Sequence, residues 1–111
     1  MTITEADYDA RAMPELTRLV SALDAIDDEG VEAELAADIL NIEFSDGTKY
    51  VVNSHRAARQ IWLAAERSAW HFDWDPVKSR WIAAKTGEEL WSVIETAVGA
   101  RLGHGVQLAR S

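Results

Sequence analysis

The stretch LNIEFSDGTKYVVN, residues 40–53, decides the fold. Leu40, Ile42 and Phe44 alternate with Asn41 and Glu43, and Tyr50 and Val52 alternate with Lys49, Val51 and Asn53. A period of two marks a half-buried strand, because successive side chains point to opposite faces. Between the two runs, Asp46-Gly47 predicts a hairpin turn, since glycine tolerates the positive φ such a turn needs. Working outward, Val31, Ala33 and Leu35 alternate with Glu32 and Glu34 on the N-terminal side. Gln60–Ala64, Trp70–Trp74 and Arg80–Ala83 follow on the other, each short and containing β-branched or aromatic residues. Six such segments read as one antiparallel meander.

Helical spacing occupies the two ends. Tyr8, Ala12, Leu16, Leu19 and Leu23 recur every three or four residues, with Thr4 as the capping hydroxyl and Asp7 in the first turn. Pro14 lacks the amide that would bond the Ala10 carbonyl, which predicts a kink or a later start. At the other end, Thr86 and Glu89 read as a T-x-x-E capping box. Leu90, Ile94, Ala97 and Val98 share one face, and Gly103 is the expected stop. Two amphipathic helices must bury their stripes, and one sheet face is the available surface. The expected fold is an α+β two-layer sandwich, with two terminal helices on one face of a six-stranded antiparallel sheet. It forms a single domain over 1–111 with a tail from about 104.

A chain of 111 residues has room for one core. Its 48% hydrophobic content excludes wholesale disorder, and no apolar run approaches the 18–20 residues needed to span a bilayer. The absence of cysteine removes disulfides, thiolate metal sites and thiol catalysis. The acidic N-terminus has no secretory signal pattern, and a cytoplasmic location is expected. The charge is uneven. Residues 1–38 hold eleven acids against two bases, net −9, and residues 39–111 hold eight acids against nine bases, net +1. Such a field repels nucleic acid and anionic membranes and attracts cations or basic proteins.

Two constellations carry candidate chemistry. Asp24, Asp27 and Asp28 share a face if the first helix extends that far. Glu29 follows them, and Glu32 and Glu34 point the same way from a strand. Like charges so placed destabilise a fold by a few tenths of a kcal/mol per pair, yet oxygen ligands are what Fe³⁺ prefers and Fe²⁺, Co²⁺ and Mn²⁺ accept. Without companion histidines or thiolates, weak binding of several ions is the expected mode. The plain alternative is a solvated acidic face, or a dock for a basic protein. The second constellation lies on the outer sheet face, where strand parity puts Asn53, Gln60, Trp62, His71 and Asp73, opposite Tyr50, Val52, Ile61, Leu63, Trp70, Phe72 and Trp74. An indole ringed by hydrogen-bonding groups is a typical interaction anchor. The alternative is a Trp62 covered by neighbours such as Arg59 and Lys49. His71 reads as a surface or hydrogen-bonded residue, His55 and His104 as a surface loop and tail without partners, and Trp81 and Trp91 as core.

The run Asp46-Gly47-Thr48-Lys49-Tyr50-Val51-Val52-Asn53, then Gln60-Ile61-Trp62-Leu63-Ala64, resembles the central signature of the frataxin family in its bacterial form. His71-Phe72-Asp73, Trp81-Ile82 and Thr86-Gly87-Glu88 continue the likeness, which covers roughly residues 16–102. Ala37-Asp38 stands where the family often has Gly-Gly, and Ser54-His55-Arg56-Ala57 where it often has proline soon after the asparagine. The resemblance implies the same two-layer sandwich. It also implies a non-catalytic iron-binding adaptor of iron–sulfur cluster assembly, with weakly bound Fe²⁺ or Fe³⁺ on Asp24, Asp27, Asp28, Glu29, Glu32 and Glu34. Asn53, Gln60, Trp62, His71 and Asp73 would face the cysteine desulfurase and the scaffold protein. The expected state is a monomer that iron can drive into oligomers, with no membrane or nucleic-acid partner. A ferroxidase or iron-storage protein is the competing reading. It prefers a preorganised site of histidine and bridging glutamate. A single-stranded nucleic-acid platform, with bases stacked on Trp62 and His71 between Arg56, Arg59 and Arg67, is the third. The net charge of −8 opposes it.

Overall fold

The computed structural model describes residues 3–109, so residues 1, 2, 110 and 111 of the expected domain lie outside the described part. Helix α1 is Glu5–Asp24, and Thr4 Oγ1 accepts the Asp7 amide at 3.2 Å, as the capping pattern requires. The later start suggested by Pro14 is not taken; the helix runs through it. The proline forfeits one backbone bond, but buried Tyr8 and Ala12 before it and Leu16, Leu19 and Leu23 after it hold both halves against the sheet.

The strands are β1 Val31–Ala36, β2 Ile39–Phe44, β3 Lys49–His55, β4 Gln60–Ala65, β5 Ser68–Asp75 and β6 Arg80–Ala83. They form one sheet in sequence order, every pair antiparallel. The β2–β3 turn uses Gly47 at φ 92°, and Asp46 Oδ1 accepts the Thr48 amide at 2.9 Å. That backbone bond, and then the Arg101 guanidinium, hold the Asp46 carboxyl down to about 2. Arg101 also reaches Glu66 at 3.2 Å, and Glu66 accepts the Tyr50 hydroxyl at 2.7 Å. Burial first, and then that carboxylate, push Tyr50 up to about 12. Two turns and the end of the last helix are thereby tied together.

The β1–β2 turn places Ala37 at φ 54°, a left-handed conformation that a Cβ disfavours by roughly 1–2 kcal/mol. Glycine there would relieve the strain while adding some unfolded-state entropy. Ala37→Gly should therefore raise stability by roughly 0.5–1 kcal/mol, read as a higher urea midpoint at unchanged slope. A lower midpoint would mean that the turn is not strained.

Helix α2 is Leu90–Leu102. The capping box at Thr86 is not formed. Gly87 sits at φ 78°, so residues 83–88 close a turn in which the Ala83 carbonyl accepts the Gly87 amide at 2.7 Å, and Thr86 Oγ1 accepts the Glu88 amide. Glu89 is the cap instead, its carboxylate accepting from Trp91 N at 2.8 Å and Ser92 N at 3.3 Å. Gly103, at φ 83°, ends the helix as expected.

Both helices lie on the face carrying Leu40, Ile42, Tyr50, Val52, Ile61, Leu63, Phe72 and Trp81, and this is the core. A buried carboxylate joins the helices, with Glu15 accepting from Trp91 Nε1 at 3.0 Å and from Arg18 at 3.1 Å. The described part of the tail, residues 104–109, does not hang free. Leu108 is buried, and its amide donates to Glu95 Oε2 at 2.7 Å.

Candidate functional site

The acidic residues gather where the end of α1 meets the β1–β2 edge, but not as the helix pattern suggested. α1 stops at Asp24, so Asp27 and Asp28 lie in the connecting loop and share no helical face with it. The chain turns because Asp28 Oδ1 accepts the Gly30 amide at 2.7 Å, and an Asx-type turn of this kind competes with helix continuation. Asp24, Glu32 and Glu34 line a groove of about 380 Å³ floored by Leu23, Ile26 and Val31. Asp27 and Glu29 are exposed in the loop, outside the groove's lining. Glu43 also lines the groove and was not singled out from the sequence. It pairs directly with Glu32 across the β1–β2 ladder and with Lys49 on its other side. Its outward parity was legible; its neighbour became visible only once the strand register was set. Like charges opposite one another on adjacent strands destabilise the sheet unless something cationic neutralises them. Among the described residues, no three histidines, aspartates or glutamates converge closely enough to hold one ion. The edge presents exposed carboxylates rather than a closed cage.

Asp28 has a partner that the sequence did not announce. His104 Nε2 lies 2.5 Å from Asp28 Oδ2, so His104 is not an unpartnered tail residue. The histidine side chain first, then the Gly30 amide, lower the Asp28 carboxyl below its ordinary 3.8; Asp28 raises His104 above its ordinary 6.5. The two signs set a window. A raised histidine adds stability that is fully present below 6.5 and lost as pH rises through its folded value. A lowered carboxyl adds stability present above 3.8 and lost as pH falls through its own. Wild type should thus exceed His104→Ala in melting temperature most between those two ordinary values, with the gap closing on either side. A gap constant from pH 3 to pH 8.5 would sink the pairing.

On the outer sheet face, register brings the second constellation together. Trp62 pairs with Asn53 on one side and His71 on the other. Gln60 links them in depth: its Oε1 accepts the Trp62 indole N–H at 2.8 Å, and its Nε2 donates to Asp73 Oδ1 at 3.1 Å. Asn53 stands apart from that chain and donates from Nδ2 to the Ser54 carbonyl at 3.2 Å. His55, read from the sequence as a loop residue, is the last residue of β3 and stacks on Trp62 with ring centroids 3.8 Å apart and 11° between planes. His71 stacks on the opposite face at 4.2 Å and 16°. Trp62 is half-buried, with an imidazole against each face. With both indole faces taken, a nucleobase finds no open face of Trp62 on which to stack. Arg56, one of the cations that reading invoked, is held by Glu5 at 2.7 Å and Asp9 at 2.9 Å. No helix among the described residues is long and apolar enough to cross a membrane.

The sequence and the fold have counterparts. A family model described as a frataxin-like domain matches residues 1–104. The chain is 33% identical over 105 residues to the iron–sulfur cluster assembly protein CyaY of Dechloromonas aromatica, covering 94% of this chain and 97% of that one. It is 31% identical over 98 residues to the protein of the same name from Thioalkalivibrio sulfidiphilus, covering 88% and 90%. In fold it is similar to frataxin from Psychromonas ingrahamii, with a TM-score of 0.86 at 18% identity, over 97% of this chain and all of that one. The two-helix, six-strand sandwich, the family match along nearly the whole length and the relatives above 30% identity agree, and this chain belongs to the frataxin family.

Proposed function

We propose that this chain is a non-catalytic, cytoplasmic iron-binding adaptor of iron–sulfur cluster assembly. It takes ferrous or ferric iron as cargo on the acidic edge and docks its outer sheet face on the cysteine desulfurase and its scaffold. The observation that carries the reading is the groove lined by Asp24, Glu32, Glu34 and Glu43, whose mutual repulsion a cation relieves. The relatives' names, which speak of cluster assembly, support it. Asp27, Asp28 and Glu29 would contribute from the loop, with Asp28 shared between an arriving ion and His104. Open ligands of this kind suit delivery, because a cargo must leave as well as bind. A ferroxidase needs its ligands preorganised around the oxidised ion, and the edge presents none so arranged.

The test is a titration of the ¹⁵N-labelled chain with Co²⁺ or anaerobic Fe²⁺. Paramagnetic broadening should cluster on Asp24, the loop to Gly30, Glu32, Glu34 and Glu43, and extend to His104, which touches Asp28. More than one ion should bind. Broadening centred on Trp62 and His71 would overturn the assignment of the metal to this edge.

A further inference from the structure

The indole of Trp62 is constrained on three sides. His55 covers one face, His71 the other, and Gln60 binds the only polar atom while itself tied to Asp73. His55 is not explained by the hydrogen bonding around it. His55 Nδ1 is buried without a hydrogen-bond partner among the described residues, an unfavourable arrangement that a native fold tolerates only for a reason. A shared metal ion is not that reason. With stacking distances of 3.8 and 4.2 Å on opposite faces, the imidazoles stand about 8 Å apart with an indole between them, while two histidines on one ion need metal–nitrogen distances of about 2 Å. What remains is the ring itself. Each imidazole is a flat disc filling the space into which the indole would otherwise swing.

We infer that His55 and His71 are positioning residues, clamping Trp62 in the one orientation that meets the partner. The inference rests on the reading of the outer face as the docking surface. An anchor already held in its bound orientation loses less freedom on binding, and a partner that requires that orientation binds more weakly in proportion to the time the anchor spends elsewhere. The two strands supply the clamp through register. His71 lies directly opposite Trp62, and His55 lies one same-face position beyond Asn53, the residue opposite Trp62 on the other side. The clamp leaves the indole's far edge and the outer faces of the imidazoles as the contact surface, so the partner meets an edge rather than stacking on a face.

The experiment uses the full chain with the cysteine desulfurase of the same organism. Dissociation constants are measured for wild type, Trp62→Ala, His55→Ala, His71→Ala, and the replacements His55→Phe and His71→Phe. ¹⁵N relaxation of the Trp62 indole is recorded for every chain that retains the residue. His71 is exposed, so His71→Ala is the variant that folds in any case. His55→Ala and His71→Ala should each weaken binding roughly threefold to tenfold and make the indole more mobile, because each opens further rotamers. Phenylalanine, a disc of similar thickness, should restore both. Wild-type affinity and a rigid indole in His71→Ala would overturn the clamp, and so would phenylalanine variants that stay weak, since the imidazoles would then act through their nitrogens. In either case a weakened Trp62→Ala leaves the docking reading standing. If Trp62→Ala itself binds like wild type, the docking face is elsewhere and the clamp falls with it.

Discussion

Trp81→Ala should be among the most damaging single changes in this chain, lowering stability by about 3–5 kcal/mol. Trp81 is 1% exposed, on the edge strand β6, where it meets Tyr8 of α1 edge-on at 5.9 Å and Trp74 of β5 at 5.6 Å. Truncation leaves an indole-sized void at the junction of helix and sheet, and a short edge strand gives the surroundings little to collapse with. Each aromatic pair adds about 0.5–1.5 kcal/mol beyond area burial, so losing two together brings the cost to the upper part of the range. Against a typical total of 5–15 kcal/mol, this is the difference between a folded and a marginal protein. Thermal unfolding should show a fall of roughly 10–25 °C. Trp81→Phe should cost a fraction of that, because the indole N–H finds no acceptor among the described residues and its removal breaks no hydrogen bond. A loss below about 1 kcal/mol for the alanine variant would show that α1 does not depend on β6 for its seat.

Trp62→Ala should give the opposite profile: a loss of binding to the cysteine desulfurase of about 2 kcal/mol or more, roughly thirtyfold, with little change in melting temperature. The residue is next in the chain to Ile61, the partner of the core residue Phe72, yet points to the other face, where His55 and His71 stack on it and Gln60 accepts its N–H. The contacts it loses are partly solvated, so the fold is affected little. The pair of tryptophan variants separates folding from docking within one sheet. A melting temperature that falls as far for Trp62→Ala as for Trp81→Ala would show that the outer face is structural, and the docking reading would lose its anchor.

Particular residues show how far the sequence could be read. Alternation along residues 31–44 and 49–53, closed by Asp46-Gly47, sufficed for the strands and for the face each presents, because side-chain direction in a strand depends only on parity. The stripe from Tyr8 to Leu23 similarly sufficed for α1 and its buried side. Local signals failed where two of them competed. Asp24, Asp27 and Asp28 had helical spacing, but the helix ends at Asp24, and in the loop beyond it Asp28 accepts the Gly30 amide. Thr86 and Glu89 had the spacing of a capping box, but Gly87 at positive φ delayed the helix to Glu89. Glu15, in the buried stripe, gave no hint that it would meet Trp91 from a segment 76 residues away.

By itself, then, the sequence determined the order of elements, the inner and outer faces of the sheet and the concentration of acid in the first 38 residues, all properties of local period and composition, and its motif residues carried the family likeness. Tertiary structure alone decided which side chains became neighbours. Glu43 joined Glu32 on the acidic edge, His104 came to Asp28 from the tail, and His55 and His71 closed on Trp62 from two different strands. The physical reason is common to all three. Contact between residues distant in the chain depends on strand register and on where a helix stops, and both are set by burying the whole apolar face at once. No local stretch of sequence carries that information.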